Sequence, residues 1–329
     1  MAPAPSHPHL VVLVRAPMLP FRSLISADQI DSSTLTEIFR VADGMGAVLS
    51  QKGRADVLAD KVIALLFFEP SSRTMLSFQA AAQRLKAGVI LAQGAQGTSL
   101  NKGESIEDTL RVVSSYADLV VMRHSRPGSA AAGAGASSVP FINAGDGVNE
   151  HPTQAIIDAY TILKEVGRTH DLRVTFGFDP RQSRSIHSLA TLLSAMPNTH
   201  FTFVSPGELE PSPEFLARIE SRGASCRVTR RLADALDADV LYMNRLQEER
   251  FPDREVFERY RREYTLTRSM VGDRRFLILD PLPRIDEVSP DVDALPRAAY
   301  FRQAAFGVPV RMALLAMFFG RERLLAPGA

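Results

Sequence analysis

Several stretches of this chain concentrate side chains that grip anions. Glu69, Pro70, Ser71, Ser72, Arg73 and Thr74 follow an apolar run from Lys61 to Phe68 and precede Phe78, Ala81, Ala82 and Leu85, apolar residues at helical spacing. Hydroxyls and a guanidinium therefore sit where a helix begins. Unpaired backbone amides, the positive end of the helix dipole and the arginine fork can converge there on one phosphate-sized group. An ordinary serine N-cap beside a surface arginine would use the same letters, so the other clusters must decide.

Those clusters are similar in kind. Arg123 and His124 follow the apolar Val120, Val121 and Met122, and Asn149, Glu150, His151, Pro152, Thr153 and Gln154 open a proline-initiated helix. Asp179, Arg181 and Arg184, then Arg245, Gln247 and Arg250, then Asp280, Pro281, Leu282, Pro283 and Arg284 each follow a short apolar run. Taken singly, each reads as well as a solvated cap. Crowded guanidinium groups need anions or acidic partners, so the set implies ligands with several carboxylate or phosphate groups, with Glu69 as an internal partner for one or two arginines. The loop Gly97 to Glu104, with Ser99 and Lys102, reads by itself as a polar surface segment.

The elements that must position these groups are strands and helices in alternation. Strands are expected at Val62 to Phe68, Val89 to Leu91, Leu119 to Met122 and Pro140 to Asn143. A second series follows at Arg173 to Phe178, Phe201 to Val204, Val240 to Met243 and Phe276 to Leu279. This pattern predicts an α/β fold with two doubly wound parallel-sheet domains joined by helices. A long helix from Thr153 to Val166 would connect them, and the segment from Pro127 to Ser138 reads as loop and weak helix. The expected division is a loose, proline-bearing arm over 1–22, a first domain over 23–152 completed by a C-terminal helix at 303–329, and a second domain over 153–302. In open sheets of this kind ligands collect at the carboxyl ends of the strands. The clusters should therefore share one cleft.

The remaining bounds are broad. A chain of 329 residues can build two cores. With 45% hydrophobic and 23% charged residues and a net charge of +1, it offers no reason to expect nucleic acid or a membrane surface as partner. No run of about 20 apolar residues exists to span a bilayer. The lone Cys226 cannot form an internal disulfide, and the N-terminus lacks the features of a secretory leader. A reducing cytoplasm is the expected location.

Taken together the motifs resemble the aspartate/ornithine carbamoyltransferase family from about Phe21 to Leu325. Phe68 to Thr74 is similar to its carbamoyl-phosphate motif, Lys102, Gly103 and Glu104 to its mobile loop, and His151, Pro152, Thr153 and Gln154 to its central motif. Tyr242 to Gln247 resembles the aspartate-specific motif, and Pro281 to Arg284 another landmark. An ornithine-using member would show a cysteine before Leu282 and a different acceptor motif.

The resemblance implies transfer of the carbamoyl group of carbamoyl phosphate to the amine of L-aspartate, a step of pyrimidine synthesis. It names the two domains as carbamoyl-phosphate-binding and aspartate-binding. Ser71, Ser72, Arg73 and Thr74 would hold the phosphate; Thr74, Arg123 and His151 would donate to the carbonyl oxygen; Gln154 and the backbone near Leu282 would hold the carbamoyl amide. Arg184, Arg245 and Gln247 would bind the aspartate carboxylates, with Lys102 and Leu282 beside them. Ser99 and Lys102 would enter from a neighbouring subunit of a homotrimer with shared active sites, alone or within a larger complex. Because carbamoyl phosphate already bears a good leaving group, this reaction requires no metal, redox cofactor or covalent nucleophile.

The chain departs from the family pattern at particular places. Ser72 and Met75 stand where Thr and Arg are usual, Asp280 where His is typical, and Phe306 to Pro309 differs from an Asn and Gly pattern. Loss of the second arginine should weaken the phosphate site, and a carboxylate at 280 should disfavour anions or alter arginine pairing. These changes keep two alternatives open: a carbamoyltransferase with another amine acceptor, and a non-catalytic homologue serving as a partner subunit.

Overall fold

Val62–Phe67 is buried at all but its first residue and apolar on both faces, the signature of a strand covered by helices on either side. It is β2, the centre of the first of two parallel sheets in a computed structural model that describes residues 19–51, 53–94, 102–246 and 253–322. The first sheet comprises β1 (Ser23–Leu24), β2, β3 (Gly88–Gln93), β4 (Leu119–His124) and β5 (Phe141–Asp146), ordered β1-β5-β4-β2-β3. The second comprises β6 (Arg173–Gly177), β7 (His200–Val204), β8 (Ser225–Thr229), β9 (Val240–Met243) and β10 (Leu277–Leu279), ordered β10-β9-β6-β7-β8. Every pairing is parallel.

The strands expected from the apolar runs are all present, with ends shifted by a few residues. Two others, β1 and β8, escaped the pattern. The former has two residues, and the latter is a half-exposed edge carrying Ser225, Cys226 and Arg227. Edge strands need not be apolar on both faces.

Helices cover both sheets: α1 (Ser32–Gln51), α2 (Ser72–Arg84), α3 (Ile106–Val113), α4 (Ser129–Ala136), α5 (Pro152–Val166), α6 (Arg184–Ser194), α7 (Pro213–Ser221), α8 (Arg254–Glu263), α9 (Arg268–Val271) and α10 (Tyr300–Phe318). The expected connecting helix is α5, which starts on Pro152 and stops at Gly167, a left-handed C-cap at φ +88°. Its buried face, including Ile156, Ile157, Ala159 and Ile162, packs against both α6 and α10. Burying such aliphatic side chains contributes about 2 kcal/mol each. The Pro127 to Ser138 segment holds α4. The expected C-terminal helix over 303–329 is observed as Tyr300–Phe318, ending where Gly320 takes φ +64°. It packs on α1, α2 and α5, so the end of the chain returns to the first sheet's helices. Ser99, Gln247 and Arg250 lie outside the described residues, as do most of the expected N-terminal arm and the last seven positions of the expected C-terminal helix, 323–329. Among the described residues no helix is long and apolar enough to cross a membrane.

Candidate functional site

The β2-to-α2 junction resolves the ambiguity left by its sequence. Ser71 occupies the N-cap position with an extended φ of −162°, yet its hydroxyl makes no cap bond. The helix start therefore keeps open the donors that an ordinary serine cap would have used. Arg73, exposed on this first turn, makes no ion pair among the described residues. Partial burial pulls its guanidinium below the usual arginine range, with the nearby Asp280 carboxyl opposing the shift. A cation-bearing helix N-terminus of this kind is suited to receive an anion.

Sheet register brings the next groups alongside. Phe67 lies opposite Arg123 across the β2–β4 pair, and the Phe68 amide donates to the Arg123 carbonyl at 2.9 Å. Glu69 is therefore next to Arg123, whose Nη2 donates to its Oε1 at 2.8 Å. Arg184, the first residue of α6 in the second half of the chain, donates to both carboxylate oxygens, Nη2 to Oε1 at 2.7 Å and Nη1 to Oε2 at 3.0 Å. Burial opposes the charge on Glu69, but the hydrogen bonds and charges of Arg184 and Arg123 outweigh it and hold the carboxyl below its ordinary range. One carboxylate thus anchors an arginine from each half. Burial, and then the charge of Arg184, press the Arg123 guanidinium down to about 10, still charged near neutral pH. Its Nε is buried without a partner.

Gly145 makes this pair of arginines possible. It has φ +117°, and a Cβ there would lie 2.9 Å from Arg123 Nη1 and 3.3 Å from Arg184 Cζ. Only glycine accommodates both the backbone angle and the two guanidiniums. Arg184 Nη1 also donates to the Gly147 carbonyl at 2.6 Å.

His151 and Gln154 stand on the first turn of α5. His151 is 4% exposed; burial, then the charges of Arg123, Arg184 and Arg311, keep its pKa well below the usual value, so the ring is neutral. Its Nε2 is 3.5 Å from Thr74 Oγ1 and its Nδ1 has no partner, while its backbone amide donates to Ser188 Oγ at 2.8 Å. The Gln154 amide nitrogen donates to Asp158 Oδ1 at 2.7 Å, which leaves its oxygen as an acceptor. Asp158, fully buried one helical turn on, also accepts from Gln303 Nε2 at 2.6 Å and from the Tyr242 hydroxyl at 2.8 Å. Burial raises its pKa to about 6 against the lowering effect of those three donors.

Glu69, Arg73, Arg123, His151, Gln154 and Arg184 line one cleft of about 680 Å³ at the carboxyl ends of the two sheets. Ser71, Ser72, Arg73, Thr74, Arg123, His151, Gln154, Arg184, Arg245 and Leu282, all expected from sequence, are present in its wall. Lys102 is exposed and outside the lining, and Ser99 and Gln247 fall outside the described residues. The guanidiniums of Arg181 and Arg284, grouped with the others by sequence, do not join. The former is exposed away from the lining, and the latter pairs with Asp293 and stacks on the Tyr300 ring at 5.2 Å.

Sequence reasoning overlooked Arg311 and Asp158. Arg311 is 3% exposed on α10, donates to Ser77 Oγ at 2.8 Å and lies 4.8 Å over the Phe78 ring. Burial takes its guanidinium down to about 9. Gly307 leaves room for it, since a Cβ there would sit 2.7 Å from Arg311 Nη1. The available signal was a lone arginine between Val310 and the apolar run from Met312 to Phe318. Met75, where a second arginine was looked for, packs instead against the hydrophobic core.

Comparison with known proteins agrees with this geometry. Residues 22–164 match the model of the aspartate/ornithine carbamoyltransferase carbamoyl-P binding domain, and 170–318 match that of the Asp/Orn binding domain. The aspartate carbamoyltransferase catalytic subunit of Methanopyrus kandleri is 44% identical over 91% of this chain and 97% of its own length. That of Methanocaldococcus jannaschii is 42% identical over 89% and 96%, and a crystal structure of the same organism's catalytic subunit superposes with a TM-score of 0.85. Its coverage is 90% of this chain and 97% of that one, at 41% identity. Aspartate transcarbamoylase of Trypanosoma cruzi in complex with N-(phosphonacetyl)-L-aspartic acid has a TM-score of 0.86 at 33% identity, over 92% and 97% of the two chains.

Proposed function

The chain belongs to the aspartate/ornithine carbamoyltransferase family, and from that premise we infer that it transfers the carbamoyl group of carbamoyl phosphate to the amine of L-aspartate, giving N-carbamoyl-L-aspartate and phosphate. The observation that carries this reading is Glu69, which ties Arg123 and Arg184 together beside the open N-terminus of α2. Two anion sites are thereby set side by side, one for a phosphate and one for carboxylates.

In this reading Ser71, Ser72, Arg73 and Thr74 bind the phosphate, and Thr74, Arg123 and neutral His151 donate to the carbonyl oxygen. Asp158 turns the Gln154 oxygen toward the carbamoyl NH2, and the backbone near Leu282 supplies a second acceptor. The aspartate amine attacks the carbonyl carbon, forming the C–N bond. The C–O bond to phosphate then breaks with its electron pair leaving on phosphate, which also receives the amine's proton. Charge builds on the carbonyl oxygen and then on the leaving group, where fixed donors act most strongly. Arg184, Arg245 and Gln247 take the aspartate carboxylates, and holding both reactants in attack geometry supplies much of the remaining acceleration.

The reading extends to a homotrimer in which Ser99 and Lys102 reach the site of a neighbouring copy. Supporting it, Lys102 stands apart from the cleft of its own chain, and Leu76, Ile90 and Leu91 leave apolar surface uncovered. It also takes positions 23–152, completed by the C-terminal helix from 303, as the carbamoyl-phosphate domain and 153–302 as the aspartate domain, working in pyrimidine synthesis in the cytoplasm. The test is phosphate release from carbamoyl phosphate by the purified protein with a panel of amines. Release with aspartate is expected; release only with another amine, or with none, refutes the reading.

A further inference from the structure

Asp280 departs from the family pattern, and the structure gives it an unusual neighbour. At either end of the segment from Asp280 to Glu287, the two carboxyls interact with each other by charge and by a side-chain hydrogen bond. Both are buried, at 2% and 4% exposure, and neither has an ion-pair partner among the described residues. Asp280 Oδ1 accepts from the Leu282 amide at 2.6 Å, and Glu287 Oε2 accepts from the amides of Ile285 and Asp286 at 3.0 and 2.9 Å. The remaining oxygens, Asp280 Oδ2 and Glu287 Oε1, have no donor at all. Two interacting buried carboxylates, each with an unsatisfied oxygen, are strongly disfavoured, whereas one proton between them satisfies both.

We propose that Asp280 bears a proton donated through Oδ2 to Glu287 Oε1, making it a positioning residue that closes the 280–287 loop around Leu282 and keeps negative charge from the phosphate end of the cleft. The proposal rests on the carbamoyl-phosphate reading above. It accounts for how a carboxyl lines a site built for anions without repelling them. The loop needs such a tie, because Leu282 is a non-glycine residue at φ +58°. Gln303, whose Oε1 accepts from the Asp280 amide at 2.9 Å, joins this loop to Asp158 and so to Gln154. The charged and titratable groups facing Asp280 are Glu287, Arg284, Arg73 and Tyr242. Arg284 is engaged by Asp293. Burial, then the charge of Glu287, drive the Asp280 pKa well above the ordinary carboxyl value. The proton is therefore kept at low pH and lost as pH rises through that raised value.

The test pairs infrared spectroscopy with kinetics across pH for the wild type and Asp280→Asn, whose amide can still donate to Glu287 Oε1. The wild type should show a protonated-carboxyl C=O band that Asp280→Asn lacks. Where that band fades with rising pH, the KM for carbamoyl phosphate should climb about tenfold, with kcat changing less, while the variant shows no rise at that pH. Glu287→Gln should shift the midpoint of the band downward, because the charge that raised it is gone. No difference in the band between wild type and Asp280→Asn, or a rise in KM at the pH of the band's midpoint that Asp280→Asn retains, overturns the proposal. Since the band is read without turnover, a protein that proves inactive with every amine refutes the functional reading while the proton is still decided.

Discussion

Two polar regions of the cleft are built on opposite terms. At the N-terminus of α2, Ser71 makes no cap bond and Arg73 has no ion pair among the described residues. Beneath them, Asp158 satisfies Gln154, Gln303 and Tyr242 at once, and Glu69 holds Arg123 and Arg184. The contrast separates groups left open at the cleft surface from groups that hold the frame. A donor intended for substrate costs stability to leave open near the surface but keeps its full strength for the ligand. A buried carboxylate left unsatisfied would cost about 1–3 kcal/mol, so Asp158 and Glu69 are each surrounded by donors.

Replacing groups on either side of this division should have different consequences. Arg73→Ala should reduce phosphate release about a hundredfold to a thousandfold, yet leave the unfolding free energy within about 0.5 kcal/mol because the side chain is exposed and unpaired. A large loss of stability in that variant would erase the distinction. Gly145→Ala attacks the frame: its Cβ would collide with the Arg123 guanidinium at a backbone angle alanine resists. Activity should fall at least about tenfold and stability by about 1–3 kcal/mol, checked by steady-state kinetics and denaturant unfolding. Wild-type behaviour would show that the two arginines have room to spare.

Glu69→Gln is a subtler cut, since the amide keeps one acceptor while removing the charge shared by Arg123 and Arg184. The expected result is a rise of about tenfold in the KM for aspartate, larger than the fall in kcat, with a loss of about 1–2 kcal/mol in unfolding free energy. A change confined to carbamoyl phosphate would reassign Arg184. A further effect is pH-linked and touches stability rather than turnover. The Asp158 carboxyl has a folded-state pKa raised to about 6 from an ordinary value of 3.8, so its contribution to stability is complete below about pH 4 and declines as pH rises to about 6. The unfolding free energy of wild type relative to Asp158→Asn should fall by up to roughly 3 kcal/mol over that window and stay level above it. A flat difference would mean that Asp158 titrates normally.

Much of the cleft was legible from letters because its groups sit immediately after buried strands or at helix starts, positions marked by apolar runs and proline. Arg73, Arg123, His151, Arg184 and Arg245 were found this way, and they do line a single cavity. Arg284 was misgrouped by the same logic, since only packing turns it toward Asp293 and the Tyr300 ring. Arg311, Asp158 and Gly145 were hidden for another reason. Each does its work through a partner more than twenty residues away: Ser77 for Arg311, Tyr242 and Gln303 for Asp158, and the guanidiniums of Arg123 and Arg184 for Gly145.

By itself, then, the order of residues determined the two parallel-sheet units, the places where strands hand over to helices, and the cationic character of those places. These follow from local periodicity and from which side chains stand at each turn. The tertiary structure alone decided that a single glutamate serves arginines from both halves, that a histidine amid guanidiniums stays neutral, and that two buried carboxyls meet seven residues apart across the Leu282 turn. Charge, burial and proton sharing depend on distances through space, and those are set only when the sheets and helices have packed.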